Sequence, residues 1–306
     1  PVLPNDIGKY HKFPSRDSAP RAQVPKLDKA ELDALPEGIY TLVGRVGDLH
    51  VILSARPTAA MILFDRKNAA GLRKHEKELP FKRDQLIFWL DPWFPEADSA
   101  WLSEELDYWV AKGQRVFVAN NLAHLSMLRG RKTPRGEAVL VIAGPWLYAF
   151  NSYSTAFLVS EGARFVIPPM EISKQDFFRS GEGLPQKLFM PVVFSFPPLF
   201  RIRADLTKKY DFKRFRDREG MEYSLVGKGD YSTVTPLMPF SNVDRVPFLK
   251  KEGITKVILD FSQIELGKPL YKQVFKACDE GTVLPETGRF NWKQGFWYPD
   301  EARDGD

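Results

Sequence analysis

VLVIAGPWLYAFNSYSTAFLVSEGARFVIPPMEI, residues 139–172, spells one complete strand, helix, strand unit with its punctuation in place. Val139 to Ala143 is short, wholly apolar and rich in β-branched residues, the composition of a strand covered on both faces, and Gly144-Pro145 stops it. Asn151 or Ser152 can cap the helix that follows. Ala156, Phe157 and Val159 supply its apolar surface, and Gly162 stands where a left-handed residue would end it. Arg164 to Ile167 then runs into Pro168-Pro169, which cannot continue a ladder. Two parallel strands joined in this way need covering helices, so the stretch fixes an α/β class.

The same grammar extends in both directions. Ile39 to Val43, Ala60 to Phe64, Gln85 to Leu90 and Arg115 to Ala119 precede the unit as strands, and Pro191 to Phe196 and Lys256 to Leu259 follow it. Between them lie helical patterns. The charged run Asn68 to Leu79 ends at Pro80, and a helix capped by Ser99 carries Leu102, Leu106, Trp109 and Val110 on one face. Leu122 to Leu128 reads as a short helix. Eight short strands, most separated by one helix, predict a (β/α)8 TIM-like barrel with a long insertion between strands 7 and 8. On this reading residues 1–37 form an extended arm or linker, and 38–298 form the barrel. Residues 198–255 are a lid or subdomain with a small hairpin around Glu222 to Val234, and 299–306 are a polar tail. The aromatic stretch RFNWKQGFWY, 289–298, is expected to pack back on the barrel.

Composition sets limits on function. The single cysteine, Cys278, forbids an internal disulfide, and no iron-sulfur cluster can be held by this chain alone. It shares a helical face with Tyr271, Val274 and Phe275, which favours a packing thiol. A net charge of +5 tolerates RNA without announcing it. No apolar run approaches the roughly 18–20 residues that span a bilayer, so no membrane partner and a cytoplasmic location are expected. The chain starts at Pro1, which leaves room for an upstream domain or a partner subunit. No nucleophile elbow, zinc helix, phosphate loop or dinucleotide fingerprint occurs.

In a barrel, functional groups belong at the carboxyl ends of the strands, where the loops converge. Those ends carry Arg45, Asp65, Asp91, Asn120 with Asn121, Trp146, Glu171, Ser195 and Asp260. The carboxylates suit acid-base work or a divalent metal, although no metal ligand set is assigned. Helix capping is the competing role for Asp65 and Asp91. Glu171 and Asp260 follow very apolar strands and are the candidate catalytic pair. His124, three residues beyond Asn121, is a further candidate base with a structural role as its alternative. Arg201 and Arg203, at alternate positions past strand 7, would point to one side and grip a phosphate or carboxylate together with Asn121 and Asp91.

Several segments together resemble the U32 peptidase family, the collagenase-like proteases, which include factors for RNA hydroxylation. Asn151 to Ile172 is similar to the family's Asn, helix, Glu-x-Gly, strand and Glu. Met190 to Leu206 sits where the family has a strand and a cysteine-bearing signature. Tyr223 to Asp260 and Gly288 to Phe296 resemble its closing segments. The resemblance implies a hydrolase acting on a peptide or another anionic substrate at the barrel mouth. It places Glu171 on the family's strand-six glutamate, and Asp260 where strand eight has glutamate. Phe196 to Phe200 lacks the family's cysteines, and Phe261-Ser262 replaces its Gly-Arg. The alternative is a barrel without catalysis that binds tRNA, rRNA or a protein through its basic-aromatic insertion.

Overall fold

The computed structural model describes residues 26–209, 213–218, 220–228 and 231–287. The aromatic stretch 289–298, the polar tail and residues 1–25 of the arm lie outside them. The rest of the arm has structure of its own: Asp28 and Glu31 form a reciprocal capping box at α1 (Lys29–Leu32), and Leu32 and Leu35 are buried.

Seven apolar runs give β1 (Gly38–Val43), β2 (Ala59–Phe64), β3 (Leu86–Leu90), β4 (Val116–Ala119), β5 (Leu140–Ala143), β6 (Ala163–Val166) and β7 (Val192–Ser195). Four strands of an excursion follow, β8 (Phe200–Ile202), β9 (Arg214–Arg216), β10 (Glu222–Lys228) and β11 (Tyr231–Pro236). The chain then returns through β12 (Phe240–Ser241) to β13 (Lys256–Phe261). The main sheet has nine strands in the order β12-β7-β13-β1-β2-β3-β4-β5-β6, all parallel except β12, which runs antiparallel to β7. The excursion builds a separate four-stranded antiparallel sheet, β8-β11-β10-β9. The expected insertion is therefore a sheet rather than one hairpin, and its last part belongs to the main sheet through β12.

Outside the main sheet lie α2 (Asp48–Val51), α3 (Arg66–Lys74), α4 (Ser99–Ala111), α5 (Leu122–Leu128), α6 (Ser152–Ser160), α7 (Lys174–Ser180), α8 (Val246–Lys251) and α9 (Lys268–Glu280). Asp65 caps α3 by accepting from the Asn68 amide at 2.8 Å, and Asn151 caps α6 from the Ser154 amide at 2.9 Å. Ser99 opens α4 instead of capping it; the preceding Asp98 pairs with Arg66. Cys278 is fully buried, and burial pushes its thiol up to about 12.

Strand alternation divides the interior in two. One face of each parallel strand packs on the helices, for example Val43, Phe64, Phe88, Phe117 and Phe194. The other faces share a second cluster that includes Tyr40, Met61, Ile87, Val118, Ile142, Phe165, Met190 and Ile258. Each large side chain removed from water there contributes about 1.5–3 kcal/mol. The inner cluster forces the sheet to curl. β6 approaches the chain entering β7 at an isolated parallel bridge, Val166 to Phe189, where the Met190 amide donates to the Val166 carbonyl at 3.0 Å. The hydrogen bonds thus draw a curled sheet of nine strands in place of the continuous eight-stranded ladder expected.

Candidate functional site

On β3, Trp89 and Asp91 are two residues apart and so face the same way, toward the inside of the curl. Asp91 ends the strand and turns the chain by accepting from the Trp93 amide at 3.1 Å. Its two oxygens also receive the two terminal nitrogens of Arg201, at 2.5 and 2.9 Å. Such a forked pair is among the stronger charged hydrogen-bond arrangements. The pair joins residues 110 positions apart, which the antiparallel pairing of β8 with β11 makes feasible by holding Arg201 above the strand ends. The guanidinium of Arg201 lies 3.9 Å from the Tyr231 ring and 5.2 Å from the Trp93 ring. Arg203 lies 5.9 Å from Trp93 and makes no ion pair with a carboxylate among the described residues.

On β13, Asp260 pairs in register with Ser195 of β7, accepts its hydroxyl at 2.9 Å, and accepts the Ser262 amide at 2.8 Å. Ser195 thus orients a carboxylate. Gly44, at the end of β1, allows the close passage: a Cβ there would meet the Ser262 carbonyl at 2.1 Å.

These groups surround one cavity of about 350 Å3 between the strand ends and the antiparallel sheet. Its walls include the rings of Trp89, Trp93, Trp146 and Tyr231; its polar groups include Asp91, Asp260, Arg201, Arg203, Thr233 and Gln263. Trp146 sits in the turn after β5, where Tyr148 holds φ 51, the one positive value at a residue other than glycine among the described residues. The structure therefore brings together four residues chosen from the sequence: Asp91, Asp260, Arg201 and Arg203. Of the aromatic walls, only Trp146 stood among the strand ends read from the sequence. Trp93 and Tyr231 carry no motif; Trp89, in step with Asp91 on β3, had a readable signal.

Three chosen residues lie elsewhere. His124 is fully buried in α5, where its Nδ1 accepts the Asn120 amide at 3.2 Å and its ring stacks on Phe94 at 5.2 Å. Burial pushes it down to about 4, with Asp91 acting weakly the other way. It does not line the cavity, and its Nε2 is buried without a hydrogen-bond partner among the described residues. Asn121 caps α5 by accepting the Ala123 amide at 3.0 Å and donates to the Pro92 carbonyl at 3.3 Å, so its amide is occupied by the fold. Glu171 lies in the turn after β6 next to Met170; Met170 lines the cavity and Glu171 does not, and the Glu171 charge acts on Tyr148. The proposed Glu171 and Asp260 pair is thus not assembled. Among the described residues no group of three His, Cys, Asp or Glu side chains is placed to hold a metal ion. No helix among them is long and apolar enough to cross a membrane.

No protein-family model matches the chain, and no curated protein matches it. Similar solved structures include the spore cortex-lytic enzyme SleL of Bacillus megaterium QM B1551, at 10% identity over 82% of this chain and 75% of that one, with a TM-score of 0.40. SleL of Bacillus cereus gives 12% identity over 82% and 76%, with a TM-score of 0.42. A chitinase from Chromobacterium violaceum ATCC 12472 gives 10% over 81% and 90%, with a TM-score of 0.29. At these scores the likenesses assign no activity. The expectation of a U32-type peptidase is thereby overturned: no U32 family model matches the chain, and none of these structures is a U32 peptidase.

Proposed function

We propose that this chain is a barrel-type protein whose eight parallel strands act as a closed ring, and that it binds a saccharide in the cavity above them. The ring is supported by the inner cluster, to which each of the parallel strands or its flanking residues contributes, and by the bridge between Val166 and Phe189. The ligand class follows from one observation: four aromatic rings and two fixed carboxylates share a single cavity with Arg203. A sugar ring has apolar C–H faces and a rim of hydroxyls. Indole and phenol faces bury the first, while carboxylate oxygens and guanidinium N–H groups bond the second. The volume lies within the roughly 300–1,000 Å3 usual for small-molecule pockets.

Asp91 accepts from Arg201 and the Trp93 amide, and Asp260 accepts from Ser195 and the Ser262 amide, so both carboxylates are held as acceptors, which suits recognition of hydroxyl donors. Arg201 is held by Asp91, whereas Arg203 pairs with no carboxylate among the described residues and offers its guanidinium to a carboxylate on the sugar. Titration with neutral and acidic mono- and disaccharides, read by tryptophan fluorescence, tests the reading. Acidic sugars are expected to bind more tightly than neutral ones, Arg203→Ala to erase that preference, and Trp93→Ala to weaken both by about tenfold or more. Failure of every sugar to perturb the fluorescence overturns the proposal.

A further inference from the structure

Beside the cavity opens a larger hollow of about 1100 Å3. The two share Asp91, Trp93, Arg201, Tyr231, Ser262 and Gln263, so they form one continuous cleft with the Asp91 and Arg201 pair at its waist. From there the hollow runs over the ends of β1 and β2, past Gly44 and Asp65, to the start of α3 and the first turn of α4. Its far end is again aromatic and charged, with Arg66 and Lys67 beside Asp65, Glu78 and Asp98. The Arg66 guanidinium lies 4.4 Å from the Trp101 ring and is held there by Asp98, which steadies the indole in the wall. Lys67, exposed beside it, makes no ion pair among the described residues.

We infer that the ligand is a linear oligosaccharide with acidic groups, one unit in the cavity and the following units along the hollow as far as Trp101. This rests on the saccharide reading above and extends it. A single ring would fill the cavity and leave the hollow to water. A chain threaded past the waist meets one aromatic wall and one cation without an ion pair among the described residues on each side of it, Trp93 with Arg203 and then Trp101 with Lys67, while Asp260 and Asp65 can accept from sugar hydroxyls. Each added contact between a ring and an indole face stabilises the longer ligand and does nothing for the shorter one.

The test is affinity as a function of chain length, measured by calorimetry with uronic acid oligomers of one to four units. The tetramer is expected to bind at least about tenfold more tightly than the monomer. Trp101→Ala and, independently, the exposed substitution Lys67→Glu are expected to bring the tetramer's affinity back toward the monomer's while the monomer's stays the same. Circular dichroism of both variants checks that they fold, and Lys67→Glu serves if Trp101→Ala does not. Equal affinity for monomer and tetramer, or an equal loss for both in Lys67→Glu, overturns the extension and leaves the cavity reading standing. Absence of binding by both overturns the two together.

Discussion

At the end of β3 a carboxylate meets an arginine delivered by the antiparallel sheet and stays at the surface of a cavity; at the end of β4 Asn120 and His124 are sealed into the fold and the half-buried Asn121 is taken up by a helix cap. Asp91 and Asn120 occupy matching positions after adjacent parallel strands. What differs is the cover. Over β3 the neighbour is Arg201, which leaves Trp93 and the carboxylate facing open space. Over β4 the neighbours are α5 and the turn at Gly144, where a Cβ would meet the Asn120 side-chain oxygen at 1.8 Å. Asn120 donates to the Leu90 carbonyl, Asn121 caps α5, and His124 fills the space beneath. A polar residue at a strand end is thus a candidate only while nothing local consumes it.

That contrast can be tested from its strongest element downward. Arg201→Met leaves Asp91 half enclosed without its forked partner, and should lower unfolding stability by about 3 kcal/mol, as removal of one member of a buried pair does. Urea denaturation of this variant against the double variant with Asp91→Leu separates the pair from the rest of the sheet. If the single variant is as stable as the parent, the pair does not anchor the lid.

For the sealed side the test is pH. The folded value of His124, about 4, lies below the roughly 6.5 of an unfolded histidine, so the unfolded chain binds more protons between them. Stability is then complete above about pH 6.5 and is lost as pH falls toward 4, by about 3 kcal/mol. In His124→Gln this acid loss should shrink by that amount in urea midpoints measured across the range; an unchanged profile would mean the imidazole reaches water.

Asp48 gives a smaller effect of opposite sign. Burial pushes its carboxyl up to about 6, opposed by Arg45, and one of its oxygens has no hydrogen-bond partner among the described residues. The folded chain keeps this proton after the unfolded chain has lost it, so stability falls as pH rises from about 4 to about 6. Asp48→Asn should raise stability at pH 7 by roughly 1 kcal/mol, solvent screening reducing the full effect. A thermal midpoint no higher than the parent's at pH 7 counts against it. Smallest of all is Glu171→Gln, expected to change stability by less than about 0.5 kcal/mol. It should leave sugar affinity unaltered, and a clear loss of affinity would return Glu171 to the site.

The sequence by itself determined the eight parallel strands, the limits of α4, α5, α6 and the end of α9, and the parallel class, because apolar runs, caps and prolines act within a few residues of where they stand; it placed α3 at 68–79 where the helix is Arg66–Lys74, and it missed β8, β9, β12, α7 and α8. Gly162, Asn151 and Pro168 mean the same thing in any surroundings. It also pointed to Asp91, Asp260 and the two arginines, since strand ends can be read from strand limits. Tertiary structure alone decided which of the polar residues remain available. Arg201 reaches Asp91 across 110 positions, Tyr231 arrives from the far side of an excursion, and His124 disappears under its own helix. Local patterns record backbone geometry over a turn or a strand, whereas a cavity is made by surfaces that meet only after the sheet has curled.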